Sequence, residues 1–243
     1  MIDLTDGPLP RTRVGVVASF DFDRDRELWR WAPDGVTFHL SRTDPVSSRE
    51  GLTMVKQLND PAVLTRATRE VLELGVETVA YLCTACSFVG GMEGERRLRS
   101  TLLDLGAPSA VTTSGAAVAA LQHLGVQRLA VAHPYIDSVG ALLQSFLEEA
   151  GFTVLSLRGL GLQPLEIPHV RYGRVRELIT QSDHPDADAV FVSCTGLATY
   201  DVIAPLEEEL GKPIVTANQA TAWAALREVG LHATGPGQRL LQE

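Results

Sequence analysis

The 243-residue chain has 30 acidic side chains against 21 lysines and arginines, a formal net charge of -9. Phosphate binding needs clustered basic side chains, so this balance argues against nucleic acid and anionic membranes as partners. Hydrophobic residues make up 45% and charged residues 21%, which is ordinary for a globular protein with a sizeable core. The length fits one large domain or two modest ones.

The N-terminal segment is polar and interrupted by Pro8 and Pro10, without the apolar core of a signal peptide. No stretch approaches the roughly 18 consecutive apolar residues of a membrane span. We therefore expect a cytoplasmic protein in a reducing compartment. Its three cysteines are an odd number, which argues against a disulfide framework and predicts free thiols.

Short β-branched segments alternate with longer helical patterns along the chain. The segment 13–19 is apolar throughout, which is typical of a buried parallel strand. The pattern predicts further strands at 78–83, 109–114, 128–134, 153–157, 189–194 and 213–217, and helices at 66–74, 115–125 and 137–150. This alternation predicts an α/β fold with parallel sheets.

The order of elements repeats about a hundred residues later. Leu-Gly-Ala-Pro at 105–108 recurs as Leu-Gly-Lys-Pro at 210–213, and Cys-Thr occurs at 83–84 and again at 194–195. A duplicated half explains the nearly constant spacing. The alternative is a coincidence between two similar α/β units, since Leu-Gly-x-Pro is a common helix-to-strand junction.

We take duplication as the better account. It predicts one half-domain at 1–113 and a second at 114–217, with the C-terminal helix 218–243 packing back on the first. Ligands of open parallel sheets bind beyond the carboxyl ends of the strands, and paired domains bind them in the cleft between.

Cys83 and Cys194 end corresponding strands of the two predicted halves, so their thiols would approach a ligand from opposite sides. Each cysteine precedes a predicted strand-to-helix turn, where the helix dipole would lower the thiol pKa. Amides of the following residues could hold a carboxylate or enolate oxygen. The alternative is that each cysteine is a small core hydrophobe.

Cys86 completes a Cys-x-x-Cys pattern with Cys83. A thioredoxin-like motif explains that spacing but leaves Cys194 without a role. A structural zinc site would need a fourth ligand, and the sequence has no second Cys-x-x-Cys. His133 and His169 could in principle contribute, but we expect no metal. We expect Cys86 to lie one turn into a helix and point at the core.

Tyr135 and Phe20 occupy the loops that follow the first strand of each predicted half. Both loops should open into the same cleft. A phenol there can hydrogen-bond a substrate oxygen, whereas the alternative for Tyr135 is ordinary packing in the core.

Three segments together resemble a known group. These are LCTACSFVGG around Cys83, HPYIDSVG around Tyr135 and VSCTGLATYDVI around Cys194. They are similar to the site segments of the aspartate/glutamate racemase superfamily, within it the maleate cis-trans isomerase and arylmalonate decarboxylase branch. The resemblance implies two pseudo-symmetric flavodoxin-like half-domains with an interdomain active site, no cofactor and commonly a homodimer.

Position by position, the resemblance makes Cys83 and Cys194 the catalytic residues. The decarboxylases of this branch have glycine where Cys83 stands and keep only the second cysteine. The resemblance and the loop positions together predict the substrate-binding residues Ser19, Phe20, Thr84, Ala85, Tyr135, Gln163, Thr195 and Gly196.

Two asparagines that maleate isomerases carry are absent, one near 19–21 and one near 161–164. An inward-pointing Asp21 would repel a second carboxylate, which puts maleate itself in doubt as the substrate.

We therefore expect a cofactor-independent isomerase or racemase that acts next to the carboxylate of a small carboxylic acid. One alternative is an arylmalonate-type decarboxylase, which needs a single proton donor and should tolerate loss of Cys83. The other is a non-catalytic two-domain binder of a carboxylate. The sequence does not identify the acid.

Overall fold

The computed structural model describes residues 12–242. Residues 1–11, which hold most of the predicted polar N-terminal segment and the start of the first predicted half-domain, lie outside the described residues, as does residue 243 at the end of the predicted C-terminal helix. The strands are β1 (Thr12–Ala18), β2 (Val36–Arg42), β3 (Thr78–Leu82), β4 (Ala110–Thr112), β5 (Arg128–Tyr135), β6 (Thr153–Leu162), β7 (Ala189–Val192) and β8 (Ile214–Thr216).

The α-helices of the same residues vary from one turn to four. They are α1 (Asp25–Leu28), α2 (Gly51–Leu58), α3 (Thr65–Leu72), α4 (Thr84–Phe88), α5 (Gly91–Asp104), α6 (Thr113–His123), α7 (Asp137–Glu149), α8 (Tyr172–Ser182), α9 (Tyr200–Leu210) and α10 (Ala217–Glu228). Short 3-10 helices lie at Pro61–Leu64, Pro164–His169 and Arg239–Leu241. None of the described helices combines the length and apolar character that a bilayer span requires.

The strands form two four-stranded sheets with the same arrangement. Their orders are β2-β1-β3-β4 and β6-β5-β7-β8, and every pairing is parallel. This is the strand order of a flavodoxin-like doubly wound sheet. The predicted fold class, two α/β half-domains of parallel strands, is confirmed.

The repeated Leu-Gly-x-Pro junction has the same backbone role in both halves. Gly106 and Gly211 have φ of 107° and 72° after α5 and α9. Glycine adopts these left-handed angles without steric cost, so it ends each helix and lets the next strand enter its sheet.

The central strands are buried along their length because helices cover both faces of each sheet. All five residues of β3 and all four of β7 are buried. Their continuous apolar sequences therefore predict strands, whereas β2, which is half-exposed, was not predicted.

The C-terminal part of the chain returns to the first half. Helix α10 packs against α6 and against β3 and β4 of the first sheet. It ends at Glu228, and among residues 229–242 the structure has one 3-10 helix, at 239–241. The predicted helix 218–243 is therefore too long. Its assignment to the first half-domain stays a prediction.

Candidate active site

An open cavity lies where the carboxyl ends of the two sheets approach each other. The first half contributes residues after β1, along α2 and after β3. The second half contributes residues after β5, around the 3-10 helix 164–169 and after β7. Both sheets thus place their strand-to-helix loops at one cleft, as doubly wound folds do.

Eight of the ten predicted site residues line this cavity. They are Ser19, Cys83, Thr84, Ala85, Tyr135, Cys194, Thr195 and Gly196. Residues that lie up to 177 positions apart in the chain therefore meet at one place. Their catalytic and substrate-binding roles stay predictions.

Phe20 and Gln163 do not line the cavity. The ring of Phe20 lies under the guanidinium of Arg49, with 4.7 Å from the guanidinium carbon to the ring centroid. Gln163 is exposed, and its Oε1 accepts a hydrogen bond of 2.9 Å from the Gly51 amide. Each side chain is thus held by another part of the fold beside the cavity wall.

Cys83 and Cys86 are joined by a disulfide bond. The expectation of free thiols throughout the chain is wrong for this pair, because one helical turn brings two residues three apart to the same side. Cys86 is buried at 1% exposure, as expected for a residue one turn into a helix, yet it also lines the cavity beside Cys83.

Cys194 is the free cysteine of the described chain. It is also the only non-glycine residue there with a positive φ, 108°. Such a backbone angle is strained for a residue with a side chain, and strained residues cluster at functional sites. The Gly196 amide donates a hydrogen bond of 3.4 Å to Cys194 Sγ, which fixes the thiol at the cavity wall.

The expected strand-to-helix turn at Cys194 is wrong. Helix α9 begins only at Tyr200, so the helix dipole does not act on this thiol. Burial raises the pKa of Cys194 to about 11, despite the lowering effect of the hydrogen bonds from Gly196 and Tyr135. The thiol is therefore protonated at neutral pH and can act as an acid, whereas the sequence predicted a thiol of lowered pKa.

Tyr135 lies beside Cys194 at the end of β5. Burial raises the pKa of its phenol well above the usual value, and the neighbouring Cys194 raises it further. The phenol and the Ser193 hydroxyl are 3.0 Å apart and share a hydrogen bond. The Thr84 hydroxyl is close to the phenol, yet no group in residues 12–242 meets ordinary hydrogen-bond geometry at Thr84 Oγ1.

Backbone donors lie at the same end of the cavity. Thr84 and Ala85 begin helix α4 after Cys83, and the first amides of a helix have no acceptor within it. Across the cavity, a Cβ at Gly196 would stand 3.1 Å from Ile167 and 3.5 Å from Cys194 Sγ. A side chain at 196 would therefore press against Ile167 and come into contact with the thiol, which accounts for a small residue there.

Most of the remaining cavity wall is apolar. Its residues outside the predicted set include Phe22, Met54, Val55, Leu58, Ile136, Val139, Leu162 and Ile167, together with the acidic Asp21. Sequence reasoning missed the apolar ones because nothing in a hydrophobic residue marks which cavity it faces.

Arg24 is a further residue that the sequence did not single out. It comes from the first half, and its guanidinium donates to the carbonyl oxygens of Gly196, at 3.2 Å, and Pro168. It thereby ties two loops of the second half that form the cavity wall. Within residues 12–242, no cluster of three or more Cys, His, Asp and Glu side chains is arranged to hold a metal ion.

Two matching parallel sheets with a cysteine-lined cavity between them define a duplicated α/β protein with an interdomain site. Residues 51–241 match the family model described as arylmalonate decarboxylase. The arylmalonate decarboxylase of Bordetella bronchiseptica is 32% identical over 165 residues, which cover 67% of this chain and 69% of that protein. The chain therefore belongs to the arylmalonate decarboxylase family, within the predicted branch of the aspartate/glutamate racemase superfamily.

Maleate isomerases are similar over more of the chain. The maleate isomerase of Pseudomonas putida is 29% identical over 216 residues, 84% of this chain and 83% of that protein. A solved structure of Nocardia farcinica maleate cis-trans isomerase with a covalently bound succinylcysteine intermediate superposes with a TM-score of 0.84 at 23% identity. It covers 95% of this chain and 98% of its own, and at that identity the likeness shows the fold alone.

Proposed function

We propose that the protein is a cofactor-independent isomerase that acts next to a carboxylate, most like maleate cis-trans isomerase, through Cys83 and Cys194. One observation carries the proposal. Cysteines from equivalent positions of the two halves line a single cavity together with Tyr135. The named maleate isomerases, at up to 29% identity over most of the chain, support it.

The two cysteines would have different roles. Burial raises the pKa of Cys194 to about 11, so we assign it the proton donor. Cys83 is then the nucleophile, and it acts once its bond to Cys86 is reduced. Its thiolate adds to one carbon of a cis double bond while Cys194 protonates the other, which leaves a single bond that rotates. Reversal of both steps releases the trans isomer and restores both sulfurs.

The substrate carboxylate would be held at the donor-rich end of the cavity. The Thr84 and Ala85 amides and the Tyr135 phenol are placed to stabilise the negative charge that develops on its oxygens during addition. Asp21 lies in the same cavity and disfavours a second carboxylate near it. We therefore expect a cis-unsaturated acid with one carboxylate at this end and any second carboxylate directed away from Asp21.

The test is a substrate panel in deuterated water, with the protein reduced beforehand and the products followed by NMR. The panel contains cis-diacids with and without an alkyl substituent, α-amino acids and substituted malonates. We expect trans product from a cis-diacid, and none from Cys194→Ala or Cys83→Gly variants that fold normally. Full activity of the Cys194→Ala variant would refute the proposal.

A second candidate is an arylmalonate-type decarboxylase. The apolar cavity wall and the single free thiol favour it, since decarboxylation needs one proton donor for the carbanion that forms. In the same assay, carbon dioxide loss from an aryl-substituted malonate would depend on Cys194 and survive Cys83→Gly. Isomerisation would require both cysteines.

A homodimer and a cytoplasmic location stay proposals that follow from the resemblance and the composition. Light scattering on the purified protein measures the mass of the assembly. Cell fractionation of the source organism establishes the location.

A further inference from the structure

The bond between Cys83 and Cys86 joins the proposed nucleophile to a cysteine that the proposed reaction does not use. Cys83 immediately precedes α4, and Cys86 lies in the first turn of that helix. Both line the cavity, and Cys83 is the more accessible, 7% exposed against 1% for Cys86. Both residues are buried, so a reagent can reach the pair only through the cavity that both line, and we assign the attack to the less buried Cys83.

The disulfide bond determines which thiols in the cavity are free to react. While it is intact, Cys83 has neither a thiolate to add to a substrate nor a proton to give. Cys194 is then the single thiol in the cavity. Reduction would free two further thiols, Cys83 and Cys86, and Cys83 is the one that the proposed reaction uses.

We propose that Cys83 and Cys86 form a reversible thiol–disulfide exchange site, with Cys86 as the resolving cysteine, that turns the isomerase off when oxidised. Its partner is an external thiol, either a small one such as glutathione or a protein dithiol. The exchange chemistry does not depend on the proposed function, whereas the effect on turnover rests on it.

Reduction by a dithiol balances in two steps. One thiolate of the reductant attacks Cys83 Sγ, the bond between the two protein sulfurs breaks, and Cys86 leaves with the electron pair and takes a proton. The second thiolate of the reductant then attacks its own sulfur in the mixed disulfide, and Cys83 leaves and takes a proton. Two electrons and two protons pass to the protein, and the reductant departs as a disulfide.

Oxidation by glutathione disulfide runs the same way in reverse. The Cys83 thiolate attacks one glutathione sulfur and becomes glutathionylated, with release of one glutathione. The Cys86 thiolate then attacks Cys83 Sγ and expels the second glutathione. Cys86 thus prevents a lasting adduct on Cys83 and shields its sulfur from further oxidation.

The third cysteine is protected from the same chemistry. Cys194 is held by the Gly196 amide and half-buried, and burial raises its pKa to about 11. Thiolates, not thiols, carry out disulfide exchange, so Cys194 should exchange slowly at neutral pH.

The test counts thiols by mass spectrometry. The native protein is equilibrated in glutathione buffers that range from oxidising to reducing, quenched with acid, unfolded and alkylated. We expect one alkylated cysteine at the oxidising end and three at the reducing end. The transition between them should have the same midpoint whether the titration starts from oxidised or from reduced protein. A constant count, whether one or three, across the range would overturn the exchange site.

A matched variant tests the role of Cys86. In Cys86→Ala, glutathione at Cys83 has no resolving thiol, so one adduct should persist at the oxidising end and be absent from wild type. Cys86→Ser provides a second version in case alanine leaves a cavity that impairs folding, which thermal melting detects. Absence of the adduct from a folded variant would overturn the resolving role.

Turnover of a cis-diacid is measured on the same samples. We expect at least a tenfold loss of rate in oxidised wild type and recovery after reduction with dithiothreitol. Equal rates in both states would overturn the switch while leaving the exchange site. No turnover of any acid in either state would refute the proposed function, and the thiol count would still decide the exchange.

Discussion

Glu27 joins the two halves beneath the active site, and its removal should destabilise the whole fold. The side chain is 7% exposed and belongs to α1 of the first half. Its carboxylate accepts hydrogen bonds from the amides of Thr199 and Tyr200, at the start of α9, and from Asn218 Nδ2 at 2.8 Å. The same Asn218 nitrogen donates to the Thr195 carbonyl at 3.1 Å, next to Cys194.

The magnitude follows from the donors left without a partner in Glu27→Ala. Each buried donor without an acceptor costs about 1–3 kcal/mol, and water entering the vacated space recovers part of that. Burial of the Glu27 carboxylate carries a desolvation penalty, which is also why its pKa is raised above the usual value. The substitution removes this penalty, and that offsets part of the lost stability. We expect a net loss of about 3 kcal/mol in the free energy of unfolding.

Urea unfolding followed by circular dichroism measures this loss. Glu208→Ala is the matched control, since Glu208 is exposed on α9 and its loss should change stability by less than about 0.5 kcal/mol. A second readout is alkylation of Cys194, which should speed up in Glu27→Ala because Thr195 is held less firmly. If Glu27→Ala were as stable as Glu208→Ala, the buried network would not join the halves as argued.

Three further predictions concern the cavity and the core beneath it. Alkylation of Cys194 by iodoacetamide should be about a hundredfold slower at pH 8 than for an exposed thiol and should rise with pH toward a pKa of about 11; a plateau below pH 9 would contradict the burial argument. Tyr135→Phe should lower kcat more than tenfold, since the phenol is assigned to the developing oxyanion; unchanged kcat in the NMR assay would remove that assignment. The variant should also lose about 1 kcal/mol of stability, because the buried Ser193 hydroxyl loses its hydrogen bond. Gly159→Ala should cost about 1–3 kcal/mol in thermal unfolding, because its Cβ would lie 2.5 Å from the buried His133 ring, whereas Gly173→Ala on α8 has open space and should be neutral or stabilising. Equal melting temperatures for both glycine variants would show that the ring can move aside.

The duplicated α/β organisation could be read from the sequence because its signals are local. Buried parallel strands are apolar along their whole length, as at 78–82 and 189–192, and glycines follow helices α5 and α9 at 106 and 211. The half-exposed strand β2 and the short helix α1 lack such signals. Glu27 in α1 and Arg24 just before it act instead through distant partners.

The sequence placed eight of the ten predicted site residues at the cavity because a strand end is a fixed position in this fold. It did not place Phe20 and Gln163, since a loop side chain takes the partner that the folded chain offers. Arg49 and the Gly51 amide are those partners, and both lie on distant segments.

For the cysteines too, the sequence determined some properties and the tertiary structure determined others. Their types, their spacing and their equivalent places after β3 and β7 follow from the sequence by itself, as do the strand pattern and the net charge. Only the tertiary structure decided that Cys83 is bonded to Cys86, and that Cys194 is a protonated acid on a strained backbone. The physical reason is that a thiol's pKa and partners depend on burial and neighbours from the whole chain, which local sequence does not encode.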